Sequence, residues 1–146
     1  MPVSLALCAA LPRFTSTARP LRCDQVGKRN LEAAIASVRE HFVVNVRWLP
    51  FLLRPDEPLA GTPKAPDSAS NPRVGQRLKQ AGAAVGIDFT GATDRAPNTV
   101  MAHALSEYAG RQEGGEGAKN RGLQNRLMEV LFRQYFTDGV YPVRPP

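Results

Sequence analysis

Residues 27–42 read Gly27-Lys28-Arg29-Asn30-Leu31-Glu32-Ala33-Ala34-Ile35-Ala36-Ser37-Val38-Arg39-Glu40-His41-Phe42, and residues 43–55 continue Val43-Val44-Asn45-Val46-Arg47-Trp48-Leu49-Pro50-Phe51-Leu52-Leu53-Arg54-Pro55. In the first stretch Leu31, Ala34, Ile35, Val38 and Phe42 recur at the spacing of one helical face. Lys28, Arg29, Glu32, Arg39 and Glu40 take the other face, so a core-facing helix is expected over about Lys28–His41. The second stretch is β-branched and aromatic from Val43 to Trp48, the signature of a strand. Pro50 ends it, because proline has no N–H to give to a ladder.

Downstream, Arg54–Arg73 reads as a loop, carrying Pro55, Pro58, Pro63, Pro66 and Pro72. A helix is expected from about Val74 to Val85, with Val74, Leu78, Ala81 and Val85 on one face and Gly86 as its stop. Pro97-Asn98-Thr99 opens another. Asn98 is its N-cap candidate, and Met101, Ala102, Leu105, Tyr108 and Ala109 form its apolar face. Arg111–Gly122 reads as a polar connector. The last helix, Leu123–Thr137, repeats Leu123, Leu127, Leu131 and Tyr135 at steps of four and ends at Asp138-Gly139.

Four pieces of this pattern resemble the DsbA-like thioredoxin-domain family of the FrnE and 2-hydroxychromene-2-carboxylate isomerase type. They are Gly27-Lys28-x-x-Leu31-Glu32, Trp48-x-Pro50-Phe51-x-Leu53-x-Pro55, Asn98-Thr99-x-x-Ala102-His103-x-Leu105 and Leu131-Phe132-x-x-Tyr135-Phe136-x-x-Gly139. The resemblance runs from about Gly27 to Gly139. It implies an α/β protein, a partial thioredoxin-like fold dominated by an α-helical insertion at about 73–138, within a domain spanning 23–146. Ahead of the family's Gly-Lys stands a redox Cys-Pro-Trp-Cys or its serine variant. Here Leu21 and Asp24 match the two cysteine positions, and Cys23 lies one residue from register. The half that would follow the insertion, with its cis-proline loop, is expected to be missing.

The function implied by the resemblance is protein-disulfide oxidoreduction, expected to be inactive without the dithiol and the cis-proline half. The alternatives are a non-catalytic interaction module and a ligand-binding remnant like the isomerase or kappa-class glutathione transferase branch, which would bring glutathione. No cofactor is otherwise implied. Partners would be protein thiols or a small thiol-linked substrate. Cys23, beside Arg22 and near a helix start, is the candidate catalytic thiol. Asn98 and Thr99 are candidate ligand contacts, with helix capping as the competing role. Asp24 is read as an N-cap, Trp48 and Phe51 as core, and His41 and His103 as helix-surface or partly packed residues.

Composition bounds the rest. Net charge is +6, and Arg13, Arg19 and Arg22 carry half of it in an acid-free first 22 residues. Elsewhere bases alternate with acids, so a nucleic-acid stripe is not expected. Cys8 and Cys23 have neither Cys-x-x-Cys nor metal spacing. No apolar run reaches the roughly 18 to 20 residues that span a bilayer. Residues 1–22 fit an organellar transit peptide or an N-terminus with no address role, which points to cytoplasm or an organellar matrix. Val3–Leu11 is Ala- and Leu-rich with little β-branching, so the true first strand is expected to be absent and residues 1–22 dispensable.

Overall fold

The computed structural model describes residues 2–8, 22–113 and 122–141. It is a mixed α/β arrangement in the order β1 (Pro2–Cys8), α1 (Arg22–Val38), β2 (Val43–Leu49), β3 (Thr62–Pro63), α2 (Gln76–Ala83), β4 (Arg95–Ala96), α3 (Val100–Glu113) and α4 (Leu123–Phe136). β1 and β2 form a parallel pair, in register from Pro2 opposite Val43 to Cys8 opposite Leu49. β3 and β4 form a short antiparallel pair.

The pairing of β1 corrects two expectations at once, the missing first strand and the lone parallel strand. The physical reason is that a parallel strand reads as a near-continuous apolar run, and strand propensity is weak against pairing. Val3–Leu7 has that run, interrupted only by Ser4.

α1 starts six residues earlier than the periodicity predicts and ends three residues sooner. Asp24 therefore lies inside the first turn and is not the cap. Lys28, assigned above to the solvent face, is only 3% exposed, as is Gln25. The chain leaves α1 through hydrogen bonds from His41 and Phe42 to Val38 O, each 3.0 Å, and enters β2 within four residues of the helix end. A 17-residue helix rises about 25 Å and a seven-residue strand about 23 Å. α1 is thus about as long as the strands, and it packs on α4.

The core gathers Trp48, Val74, Ile87, Phe89, Phe132, Tyr135 and Phe136, with Val26, Val46, Leu78, Val85 and Met128 packed against them. Its rings meet edge to face: Trp48 on Phe132 at 5.9 Å, Phe89 on Phe136 at 5.7 Å, Tyr135 on Phe136 at 4.9 Å. Such pairs add about 0.5–1.5 kcal/mol each beyond area burial. α4 turns Gln124, Phe132, Tyr135 and Phe136 inward, so its buried face lies beside the leucine stripe that the four-residue repeat suggests.

α2 is shorter than expected, and Gly86 (φ +74°) carries the reversal after it, as expected of its stop. The loop expected over Arg54–Arg73 contains β3, whose partner β4 ties it to the start of α3. Helix α3 continues through Arg111 and Gln112 into what reads as connector. Its apolar face is only partly the expected one: Ala109 is buried, but so is Ser106, while Met101, Leu105 and Tyr108 are 56%, 47% and 61% exposed. Small residues let α3 approach α4 closely, which leaves its large ones outside.

Candidate functional site

Ligand and thiol chemistry in an open parallel sheet concentrates beyond the carboxyl ends of the strands. Three features of this chain bear on such a position. Cys8 is the last residue of β1 and Cys23 the second residue of α1. Gln25, in the same first turn, is buried with its Oε1 lacking a hydrogen-bond partner. The side chains of Cys8 and Cys23 lie outside the described residues. In chain order Cys8 ends β1 and Cys23 stands at the start of α1, with 14 residues between them.

A polar cluster fixes α1. Trp48 Nε1 donates to Asn125 Oδ1 at 3.1 Å, and Asn125 Nδ2 donates to Glu32 Oε1 at 3.0 Å. Lys28 Nζ reaches Glu32 at 2.5 Å and Glu129 at 2.8 Å. Arg29 pairs with the same two carboxylates. Burial works against the charge of Glu32, but hydrogen bonds from Lys28 and Asn125 and the charges of Lys28 and Arg29 outweigh it. The carboxyl is held below its usual range.

The second candidate position, the start of α3, is built differently. Asn98 Oδ1 accepts from Val100 N–H at 3.0 Å, while Nδ2 donates to Glu57 O at 2.5 Å. Tyr141 Oη accepts from Asn98 N–H at 3.2 Å. Thr99 O accepts the first helical bond, from His103 N at 2.9 Å, so Thr99 is the formal N-cap and Asn98 caps from one position earlier. Both ends of the Asn98 amide are engaged in local structure. Glu57 stands beside this start. A hydrogen bond from the Thr62 hydroxyl comes first, then the Thr62 amide and Arg54, and together they hold its carboxyl below the usual range against its burial.

His103 is half-buried. Desolvation pushes its imidazole below the ordinary value, a hydrogen bond with the Phe51 backbone only partly offsets this, and Nε2 is buried without a partner. His41 is exposed. Trp48 is core, as expected, but Phe51 is 43% exposed and is not.

Lys64 and Tyr135 form a further cluster that no sequence signal announced. Lys64 Nζ donates to Tyr135 Oη at 2.8 Å and to Thr93 Oγ1 at 3.1 Å, and Tyr135 donates to Arg95 O at 3.0 Å. The contacts join β4, the preceding loop and α4. Only three-dimensional proximity relates residues 29 and 71 positions apart.

Among the described residues no group of three or more His, Cys, Asp or Glu is placed to hold a metal ion, and no helix is long and apolar enough to cross a membrane. Comparison with protein-family models, with curated proteins and with solved structures finds no match to this chain.

Proposed function

We propose that this chain is a thioredoxin-like domain of DsbA type that reacts once, at Cys23, with a disulfide of a protein or of a small thiol-derived compound and does not turn over as a disulfide oxidoreductase. The observation that supports this reading is the position of Cys23, second residue of the helix that lies between the two parallel strands in chain order. Backbone N–H groups and the helix dipole at such a position favour thiolate over thiol. The thiolate attacks one sulfur of a disulfide R–S–S–R′, forming Cys23–S–S–R and releasing R′–S⁻, which takes up a proton from water. Turnover would need a second thiol to attack that mixed disulfide. Three residues along, where a Cys-x-x-Cys would supply one, stands Val26, packed against the core. A reactive thiol of this kind belongs in the reducing cytoplasm or an organellar matrix.

The test is incubation of the intact chain with glutathione disulfide followed by mass spectrometry, alongside an insulin-reduction assay. One glutathione per chain, lost in Cys23→Ser and kept in Cys8→Ser, with insulin reduction at background, is expected. Adduct formation indifferent to Cys23→Ser would overturn the assignment of the thiol. Absence of any adduct would favour the alternative, a non-catalytic interaction module or ligand-binding remnant.

A further inference from the structure

On α3, Met101, Leu105, Tyr108 and Gln112 follow one another at steps of four, three and four residues, the spacing of a heptad seam. All four are exposed, and the three apolar ones are large. The flank that carries Ser106 and Ala109 already packs within the domain. Beside the seam, Glu107 Oε1 binds Arg47 at 3.2 Å and Arg111 at 3.4 Å, so one carboxylate is shared by two guanidinium groups and this border keeps an excess of positive charge.

We propose that this stripe is the contact by which two copies of the chain associate, α3 against α3 in antiparallel sense. Charge decides the occupant and the direction. The contact of Asn98 with Glu57 O sets the loop bearing Asp56, an exposed acid, at the N-terminal end of α3. Arg111, in the last turn, has a side chain 73% exposed. An antiparallel twofold carries Arg111 of each copy to the acidic end of the other and opposes the two helix dipoles. A parallel pairing would set like ends together. The uncharged stripe also matches itself: Leu105 comes opposite Tyr108 of the other copy, and Met101 opposite Gln112.

The seam is about 16 Å long, from the rise per residue, and belongs to the small class of interfaces. A dissociation constant in the micromolar range, on the order of 10–100 µM, is therefore expected.

Sedimentation from about 5 to about 500 µM, under reductant so that cysteines cannot link chains, reads it directly. The weight-average mass should climb from the 15.9 kDa monomer toward twice that value. Leu105→Glu should stay monomeric with an unchanged circular dichroism spectrum. Arg111→Asp should weaken association several-fold, and adding Asp56→Arg should restore it. A chain that remains monomeric throughout overturns the inference and leaves the stripe to a different protein. A dimer indifferent to Leu105→Glu overturns it by placing the contact on another face. The outcome is independent of Cys23, which the assay holds reduced.

Discussion

Lys28 and Glu129 meet at 2.8 Å although they stand 101 positions apart in the sequence, and that contact fastens α1 to α4. The lysine is 3% exposed, whereas its two carboxylate partners, Glu129 and Glu32, are 30% and 36% exposed. The cation is thus the desolvated member, and the anions retain water.

Removing the cation should therefore cost more than removing one anion. Lys28→Ala loses the ion pairs and opens a cavity; about 2 kcal/mol is expected, below the full buried-pair scale because water still screens the carboxylates. Lys28→Met restores packing and should cost about half of that. Glu129→Gln should cost less than Lys28→Ala, because Glu32 still pairs with the lysine. Urea unfolding of the three variants gives the order.

Acid stability follows in part from Glu32, with Glu57 acting in the same window. The folded-state value of Glu32 lies below the unfolded 4.5, so the unfolded chain binds the proton first. The stabilisation is complete above pH 4.5 and declines as pH falls through the folded value. Lys28→Met, by removing a partner that gives Glu32 both a hydrogen bond and a positive charge, should flatten this part of the stability–pH curve.

His103 acts in a different window. Its folded value is depressed below 6.5, so the unfolded state again binds more protons as pH drops. Its contribution is complete above 6.5, declines as pH falls below it, and levels off once the folded imidazole protonates. His103→Gln should abolish the stability change between pH 7 and pH 5 while leaving the acid limb of Glu32 intact. Unfolding midpoints at half-unit pH steps separate the two.

Gln124 completes the edge of β2. Its Oε1 accepts Trp48 N–H at 2.9 Å, and its Nε2 donates to Trp48 O at 2.8 Å and to Ser106 O at 3.0 Å. A side-chain amide thus takes the place of a neighbouring strand at a residue 1% exposed. Gln124→Leu would orphan buried backbone groups, at about 2–4 kcal/mol. Gln124→Glu should be worse at neutral pH, because a carboxylate would face two carbonyl oxygens, and it should recover partly once acid protonates it.

Helix and strand periods announced β2, α2, α3 and α4 to within a few residues, because each period is a local property. What sequence pattern left hidden was set by partners. β1 has ordinary propensity and becomes a strand by pairing with β2. Gln25, Lys28 and Gln124 are polar residues whose burial depends on groups far away in the chain. On α3 the small residues Ser106 and Ala109 permit an approach to α4 that Leu105 or Tyr108 would prevent, so the large members of its apolar stripe stay outside. At the candidate site, the place of Cys23 near a helix start is a local property and legible in the sequence. That Cys8 ends a strand depends on the pairing of β1 with β2.

Two glycine substitutions should act with opposite sign. Gly27 lies inside α1, and an added Cβ would meet nothing within 4 Å. Alanine there gains about 0.5–1 kcal/mol from helix propensity alone. Gly82 also lies in a helix, α2, but its Cβ would stand 2.5 Å from Phe89 Cδ2 and 2.7 Å from Ile87 O. Neither neighbour yields easily. Ile87 N donates to Gly82 O at 2.9 Å, which fixes that backbone, and Phe89 is 1% exposed against Phe136. Overpacking of this kind costs about 1–3 kcal/mol, which exceeds the propensity gain. Thermal or urea unfolding should thus show Gly27→Ala above the parent and Gly82→Ala below it. If Gly82→Ala proved as stable as Gly27→Ala, the close approach of α2 to Phe89 would be wrong.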